Sequence, residues 1–204
     1  MTELHDPFFY ERQLAGQGHC LIAGVDEAGR GPLAGPVVAA AVILPDDCDY
    51  IRFKDSKKLT PARREKLYQV LYDMGIPIGV GSAGPEEIDD INILQASLLA
   101  MRRAVESLSG IPDYILVDGK FPVPVSIPQK ALIKGEQKSA SIAAASIIAK
   151  VTRDRLMCEL DEQFPQYNFC KHKGYPTKEH KQLIMQHGPC PIHRKSFRGV
   201  REDL

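Results

Sequence analysis

Two short apolar runs joined by a glycine-rich turn constrain the fold more than any other feature of this chain. The first run is Cys20–Val25 (CLIAGV) and the second is Pro36–Leu44 (PVVAAAVIL). Both have the length of strands, and glycine or proline flanks each of them. The turn Ala28–Pro32 (AGRGP) lies between them. Since the longest apolar stretch has only eight residues (37–44), it is too short for a membrane-spanning helix, which needs about 20.

The rest of the chain shows helical and strand patterns in alternation. Helices are predicted from Thr60–Pro61 to about Met74, from Asp89 or Asp90 through Leu108, from Ser139 to about Leu160, and from Thr177 to Gln186. Strands are predicted at Ile76–Ser82, Tyr114–Val117 and Ala131–Ile133. The third helix begins with an alanine-rich segment (SIAAASIIAK), which indicates close packing against a sheet. Together these patterns predict an α/β layered fold in one domain of 204 residues.

The charge distribution indicates a polyanionic partner, although the net charge is zero. Residues 166–204 hold eight Lys/Arg and three acids, and Arg52–Lys66 holds seven Lys/Arg and two acids. Two basic segments on an otherwise acidic protein are typical of a track for nucleic acid beside an acidic pocket. The alternative is a solvated charged surface without a ligand.

Acidic residues follow two of the predicted strands directly. Asp26 and Glu27 come after CLIAGV, and Asp118 comes after YILV. Ligands bind at strand ends in open α/β sheets, so we expect these acids to lie together, with Glu136 at the entry of the alanine-rich helix as a fourth. Oxygen-only ligands favour Mg²⁺ or Mn²⁺, and two such ions catalyse phosphodiester displacement. Read singly, Asp118-Gly119 is also an ordinary turn, and Glu136 is also a helix-capping acid.

Other site types fit the sequence less well. The segment Gly24–Gly31 has Arg and Gly where a phosphate-binding loop needs Lys and Ser/Thr, and the dinucleotide-binding fingerprint is missed by one residue. A zinc site could be built from Cys and His residues of the C-terminal tail, although their spacing fits no standard zinc pattern. Those residues are Cys170, His172, His187, Cys190 and His193.

The cysteines and the N-terminal segment indicate a cytoplasmic protein. The five cysteines are odd in number, scattered and without a C-x-x-C pair, which argues against a secreted disulfide framework. Residues 1–11 contain acids and show no signal-peptide pattern.

Five segments resemble bacterial ribonuclease HII, the type 2 ribonuclease H, and they occur in the order found in that family. They are Ile22–Leu44, Lys54–Thr60 (KDSKKLT), Ile115–Lys120 (ILVDGK), Ser141–Arg155 (SIAAASIIAKVTRDR) and His172–His180 (HKGYPTKEH). The resemblance implies a ribonuclease H-like fold, in which helices flank a mixed five-stranded sheet. It implies a catalytic domain over residues 1–165, with strands from about residue 20. Residues 166–204 would form a small, basic, helical C-terminal segment packed on the same domain.

The resemblance also implies catalytic residues. Asp26, Glu27 and Asp118 match the metal-binding acids of the family, and all three are expected to be catalytic. The family usually has Asp after Gly at the fourth acidic position, whereas this chain has Glu136 after Gly135. The longer side chain of Glu136 keeps the charge but changes its reach.

Substrate contacts follow from the same resemblance. Gly29, Arg30 and Gly31 match the motif whose backbone groups read the ribose 2′-hydroxyl, and Tyr175 matches the ring that stacks on the adjacent sugar. Lys57, in the basic segment, is a further predicted substrate contact. A 2′-hydroxyl sensor is what distinguishes RNA from DNA at one nucleotide.

The implied activity is metal-dependent endonucleolytic cleavage of RNA. Its substrates would be RNA–DNA hybrids and single ribonucleotides in duplex DNA, cut on their 5′ side to leave 3′-hydroxyl and 5′-phosphate ends. Mg²⁺ or Mn²⁺ would be the cofactor, and the enzyme would act as a cytoplasmic monomer. A nucleic-acid-binding module without catalytic activity is the alternative.

Overall fold

Five strands and six α-helices form the regular structure in the described part of the computed structural model, which covers residues 6–45, 48 and 59–200. The strands are β1 (Ile22–Ala28), β2 (Val37–Ile43), β3 (Ile78–Ala83), β4 (Tyr114–Asp118) and β5 (Gln129–Leu132). The helices are α1 (Phe9–Ala15), α2 (Pro61–Asp73), α3 (Pro85–Glu106), α4 (Ala140–Gln163), α5 (Phe169–His172) and α6 (Lys178–His187). Short 3₁₀ turns lie at Gly135–Gln137 and Pro165–Tyr167. No helix in these ranges has the length and apolarity needed to span a bilayer.

The strands form one mixed sheet in the order β3-β2-β1-β4-β5. Strand β2 pairs antiparallel with both β1 and β3. Strand β4 pairs parallel with both β1 and β5. The predicted mixed five-stranded sheet flanked by helices is therefore confirmed, with β1 at its centre.

Both faces of the sheet are covered, which explains why β2 contains only Val, Ala and Ile. Its residues Ala40 and Val42 pack with α2 and α4 on one face. Its residues Val37, Ala39 and Ala41 pack with α3 on the other face. A strand buried on both faces has no need of alternating polar residues.

Helix α4 lies against β1 at a point where the strand has no side chain. A Cβ atom at Gly24 would lie 2.1 Å from the Ser141 carbonyl carbon and 2.2 Å from the Ile142 nitrogen. The alanine-rich start of α4 thus packs directly on the sheet, as the sequence predicts.

We expect the substitution Gly24→Ala to destabilise the protein, because backbone atoms of α4 would have to move to admit one methyl group. Overpacking of this kind costs about 1–3 kcal/mol, and the upper end of that range is expected here. Urea unfolding would measure the loss. Gly110→Ala is the matched control, because nothing lies within 4 Å of its Cβ position. Equal stability of the two variants would contradict the close approach.

Helix α3 differs from its predicted start. It begins at Pro85, where the Glu87 carboxylate accepts the Gly84 N–H at 2.9 Å. Asn92 interrupts it with φ 66°, and its Oδ1 accepts the N–H of Leu94, so the second half starts with a cap of its own. The predicted cap residue Asp89 has another role, because its carboxylate accepts hydrogen bonds from the backbone of residues 195 and 196. The sequence pattern could not show this long-range contact.

The C-terminal segment packs along the turn between β1 and β2. The Leu33 N–H donates to Gly174 O at 2.8 Å, and the Gly35 N–H donates to Ile192 O at 2.9 Å. A disulfide joins Cys158 on α4 to Cys170 on α5. One disulfide is not a framework, since the other three cysteines are free, but the cysteine pattern gave no reason to expect it. The two residues come together only when α5 packs on α4.

Candidate active site

The two central parallel strands bring their acids to one cleft. The register of β1 and β4 pairs Val25 with Val117, so Asp26 and Asp118 are the next residues on neighbouring strands. Asp26, Glu27 and Asp118 all line the same cleft. The predicted meeting of these acids at the strand ends is present, although the sequence separates them by 92 residues.

Asp26 is the most buried acid of the cleft, with only 4% of its surface exposed. Burial raises the pKa of Asp26 well above its ordinary value, and repulsion from Glu27 and Asp118 raises it further. Hydrogen bonds from Ser146 and from the Glu27 N–H (2.8 Å to Asp26 Oδ1) act in the opposite direction. Three carboxylates in one buried cleft therefore favour a bound cation or a proton.

Glu27 lines the same cleft as Asp26, although neighbouring residues of a strand normally point to opposite faces and β1 does not end at Asp26. Strand β1 stays paired with β2 as far as Ala28, whereas its pairing with β4 stops at Val25. Beyond Val25 the strand β1 is therefore unpaired with β4, and Glu27 lines the cleft there. Burial raises the pKa of Glu27, and Arg30 opposes this shift, with Nη1 lying 3.3 Å from Glu27 Oε1.

Asp118 is fixed by the turn that leads into α4. Its Oδ1 accepts the Gly135 N–H at 2.6 Å. Glu136 follows immediately and is buried, but it is not among the residues that line the cleft. Gly135 thus contacts Asp118, whereas Glu136, the next residue, lies outside the lining of the cleft, and its part in catalysis stays a prediction.

The predicted substrate-binding turn and ring lie at the rim of the cleft. Gly29 and Tyr175 both line it. A Cβ atom at Gly31 would lie 3.9 Å from the Tyr175 ring, which is 40% exposed. Gly29, Arg30, Gly31 and Tyr175 therefore border one opening. The predicted contact Lys57 lies outside the described residues.

Three further polar residues line the cleft that the sequence analysis did not single out. They are Arg64 on α2 and Ser146 and Lys150 on α4. Lys150 Nζ lies 5.6 Å from the centre of the Tyr175 ring and 2.7 Å from Asp154 Oδ1. Ser146 and Lys150 are one helical turn apart, and polar residues at that spacing in an alanine-rich helix were the available signal.

The cysteine and histidine residues of the tail do not form a zinc site. Across residues 6–45, 48 and 59–200, no group of three or more His, Cys, Asp or Glu residues could hold a metal ion as it stands. Cys170 is in the disulfide, while His193 accepts the Cys190 N–H at Nδ1 (2.9 Å). Burial lowers the pKa of His193 to about 4, which keeps the ring neutral.

The cleft nevertheless has the donors and the charge that suit a hard divalent cation. Its acids, Asp26, Glu27 and Asp118, offer only oxygen ligands. Burial and, next to it, mutual repulsion raise the pKa of Asp26, and a bound cation would offset this cost of ionisation. The carboxylates therefore fit such an ion by their charge and by their ligand atoms.

A mixed sheet in this order, with acids at the ends of its two central parallel strands, defines a ribonuclease H-like protein. A solved ribonuclease H2 from Pyrococcus horikoshii has the same fold, with a TM-score of 0.73 and 31% identity over 89% of this chain and 96% of that one. The family model described as Ribonuclease HII matches residues 23–200. The chain belongs to the ribonuclease HII family.

Bacterial relatives agree with this assignment. A ribonuclease HII of Desulfotalea psychrophila is 57% identical over 97% of this chain and 89% of its own length. A ribonuclease HII of Geobacter sulfurreducens is 58% identical over 96% of this chain and 90% of its own length. The chain is thus a ribonuclease H, a hydrolase that acts on RNA–DNA hybrids, and a module without catalytic activity is set aside.

Proposed function

We propose that this enzyme also cuts duplex DNA on the 5′ side of single ribonucleotides, leaving 3′-hydroxyl and 5′-phosphate ends. The observation that supports this most is the position of the Gly29–Gly31 turn and Tyr175 at the rim of the cleft that holds Asp26, Glu27 and Asp118. Backbone groups beside the acids could recognise one ribose 2′-hydroxyl within DNA. No other ribonucleotide would then be required.

Asp26, Glu27 and Asp118 would hold two divalent cations, Mg²⁺ or Mn²⁺, and Glu136 stays a predicted fourth acid. When bound, such ions would supply an activated water and charge stabilisation for the leaving 3′-oxygen. The chain itself orients the reactants. Gly135 fixes Asp118 by its 2.6 Å hydrogen bond. Arg30 Nη1 lies 3.3 Å from Glu27 Oε1 and holds that carboxylate at the cleft.

Tyr175, Arg64 and Lys150 would hold the substrate strand. Tyr175 offers an exposed ring face for the sugar next to the scissile phosphate. Arg64 and Lys150 line the cleft and carry the positive charge that a phosphate needs. We also propose that a monomer is sufficient, because one chain supplies all of these groups, and that the enzyme acts in the cytoplasm.

The test uses a labelled DNA duplex with one ribonucleotide, incubated with the enzyme and either Mg²⁺ or Mn²⁺. An RNA–DNA hybrid, an all-DNA duplex and an EDTA sample are run beside it. We expect one metal-dependent cut, 5′ of the ribonucleotide, and an intact all-DNA duplex. Cleavage of the hybrid alone would refute the proposal for single ribonucleotides while leaving the ribonuclease H activity.

We expect the substitution Tyr175→Ala to slow cleavage at a lone ribonucleotide by tenfold or more, and to change binding to an all-DNA duplex little. Stacking on an aromatic ring contributes about 1–3 kcal/mol, and each 1.4 kcal/mol corresponds to about tenfold. Single-turnover rates and filter binding would measure the two effects. Tyr175→Phe, which keeps the ring, is the control and should cleave nearly as the native enzyme does. Equal losses of cleavage and binding would argue against the stacking role.

A further inference from the structure

A single buried arginine of the C-terminal segment binds four carbonyl groups of the turn between β1 and β2. The Arg194 side chain has no exposed surface, and its guanidinium donates four hydrogen bonds to carbonyl oxygens of that turn. They run from Nε to Gly35 (2.9 Å), from Nη1 to Pro32 (2.8 Å) and Arg30 (3.1 Å), and from Nη2 to Gly29 (2.6 Å). The sequence suggested that tail cations bind phosphates, and for Arg194 the structure shows a different use.

The surroundings of Arg194 are unusual for a buried charge. All four hydrogen-bond acceptors are neutral carbonyls, so no carboxylate compensates the guanidinium directly. Burial lowers the pKa of Arg194 to about 9, which still leaves the group charged at neutral pH. Asp89 acts on Arg194 electrostatically, and the Phe197 ring centre lies 5.0 Å from Arg194 Cζ. None of the four hydrogen bonds goes to a carboxylate, so burying this charge costs stability, and stability alone does not explain the residue. What a rigid guanidinium supplies is a fixed geometry for the carbonyls that it binds.

Arg153 on α4 binds two further carbonyl groups of the same turn. It donates from Nε to Pro36 O at 2.9 Å and from Nη2 to Ala34 O at 3.1 Å. Its Nη1 also binds Lys173 O at 3.0 Å, two residues before the rim residue Tyr175. The two arginines together therefore fix the turn and connect it to the segment that carries the ring.

The carbonyl contacts also set the direction of the amide groups that follow. In a trans peptide the N–H points opposite to the preceding C=O, and the described chain has no cis peptide bond. Because the carbonyls of Gly29 and Arg30 point to the Arg194 guanidinium, the N–H groups of Arg30 and Gly31 point away from it. These N–H groups belong to the turn that is proposed to read the ribose.

We propose that Arg194 is a positioning residue, which presents the Gly29–Gly31 turn to the ribose 2′-hydroxyl by holding its carbonyls from inside the protein. This inference rests on the proposed function, because it requires that the turn reads the ribose. Arg194 does not touch the substrate. Its effect is to keep backbone groups within the small tolerance that a catalytic geometry allows, where a displacement of about 1 Å costs on the order of 10²-fold in rate.

The variant Arg194→Lys tests the proposal, because it keeps the positive charge and loses the fork of donors. We expect kcat at a single ribonucleotide to fall by roughly 10²-fold after correction for the folded fraction. The Kd for an all-DNA duplex should stay within about twofold of the native value, since Arg194 is buried away from phosphates. Arg102→Lys is the matched control, because Arg102 lies on the surface of α3 and, among the described residues, forms its ion pair with Glu106. It should leave both quantities unchanged.

A readout besides activity separates positioning from a general loss of structure. In ¹H–¹⁵N spectra, the amides of Gly29 and Gly31 should shift in Arg194→Lys and not in Arg102→Lys, while amides of β4 and β5 keep their positions. If Arg194→Lys does not fold, the native protein decides. The Arg194 Nε proton should then be protected from exchange, both free and with the ribonucleotide duplex bound, and exchange at the solvent rate would overturn the proposal.

Different results would refute the cleavage at single ribonucleotides and the positioning role of Arg194. A native enzyme that does not cut at a single ribonucleotide refutes the proposed function, and with it the role of the turn. A native enzyme that cuts, together with a folded Arg194→Lys variant that cuts equally fast and shows no shift at Gly29 or Gly31, refutes only the role of Arg194.

Discussion

The substitution Asp26→Asn should abolish cleavage, with a loss of at least about 10³-fold in single-turnover rate, while the protein stays folded. Asn has nearly the shape of Asp and keeps an oxygen that can accept the Glu27 N–H. It removes the negative charge at the most buried position of the cleft, where one carboxylate faces two others. A rate loss of this size corresponds to about 4 kcal/mol, within the range for removing an electrostatic group from a transition state.

The control for this prediction is a carboxylate away from the cleft. Asp73, at the end of α2, accepts an exposed hydrogen bond from Gln69, and Asp73→Asn should leave the rate unchanged. Rates would be measured on the hybrid as well as on the single-ribonucleotide duplex, in saturating Mg²⁺ and Mn²⁺. If Asp26→Asn kept more than about a tenth of the native rate on the hybrid, the three acids could not be the metal site, whatever the second substrate showed.

Much of the sheet could be predicted from the sequence, because buried strands show as unbroken apolar runs. The runs before Asp26 and Asp118 gave two central strands, and the rule that ligands bind at strand ends then placed their acids together. The ends of helices were harder to predict where a capping residue binds a partner that is distant in the sequence. The spacing of Asp89 predicts a helix cap, but its carboxylate accepts hydrogen bonds from the backbone N–H groups of residues 195 and 196 instead. The short helix α1 (Phe9–Ala15) has no side-chain cap in the sequence and was missed.

The acids and the glycine turn of the candidate site were predicted from the sequence, but the residues that hold them in place were not. Ser146 and Lys150 could be recognised as polar residues one turn apart, whereas nothing local marks the role of Arg194. Its partners at Gly29–Gly35 lie more than 150 residues earlier in the chain. A basic residue in a basic tail indicates a phosphate contact, and only the packing of the tail on the turn shows that this one is buried.

The metal-free protein should become more stable when Asp26 is replaced by Asn, although the variant is inactive. The folded-state pKa of Asp26 is raised, so the folded protein binds this proton more tightly than the unfolded chain does. The ionised group therefore destabilises the fold. This penalty is absent below the unfolded-state pKa of about 3.9 and grows as the pH rises from there toward the folded-state value. At pH 7 in EDTA, we therefore expect Asp26→Asn to be more stable than the native protein.

Three sets of urea unfolding curves would check this expectation. In EDTA at pH 7 the variant should exceed the native protein, and near pH 4 the difference should shrink as the native Asp26 becomes protonated in both states. In Mg²⁺ at pH 7 the difference in unfolding free energy between variant and native protein should shrink or change sign. A bound cation stabilises only the folded state, and the variant has lost part of the site for it. The same buried charge would then be the source of both the activity and the instability of the free enzyme. A variant that is less stable than the native protein in EDTA at pH 7 would show instead that Asp26 is held by contacts that an amide cannot replace.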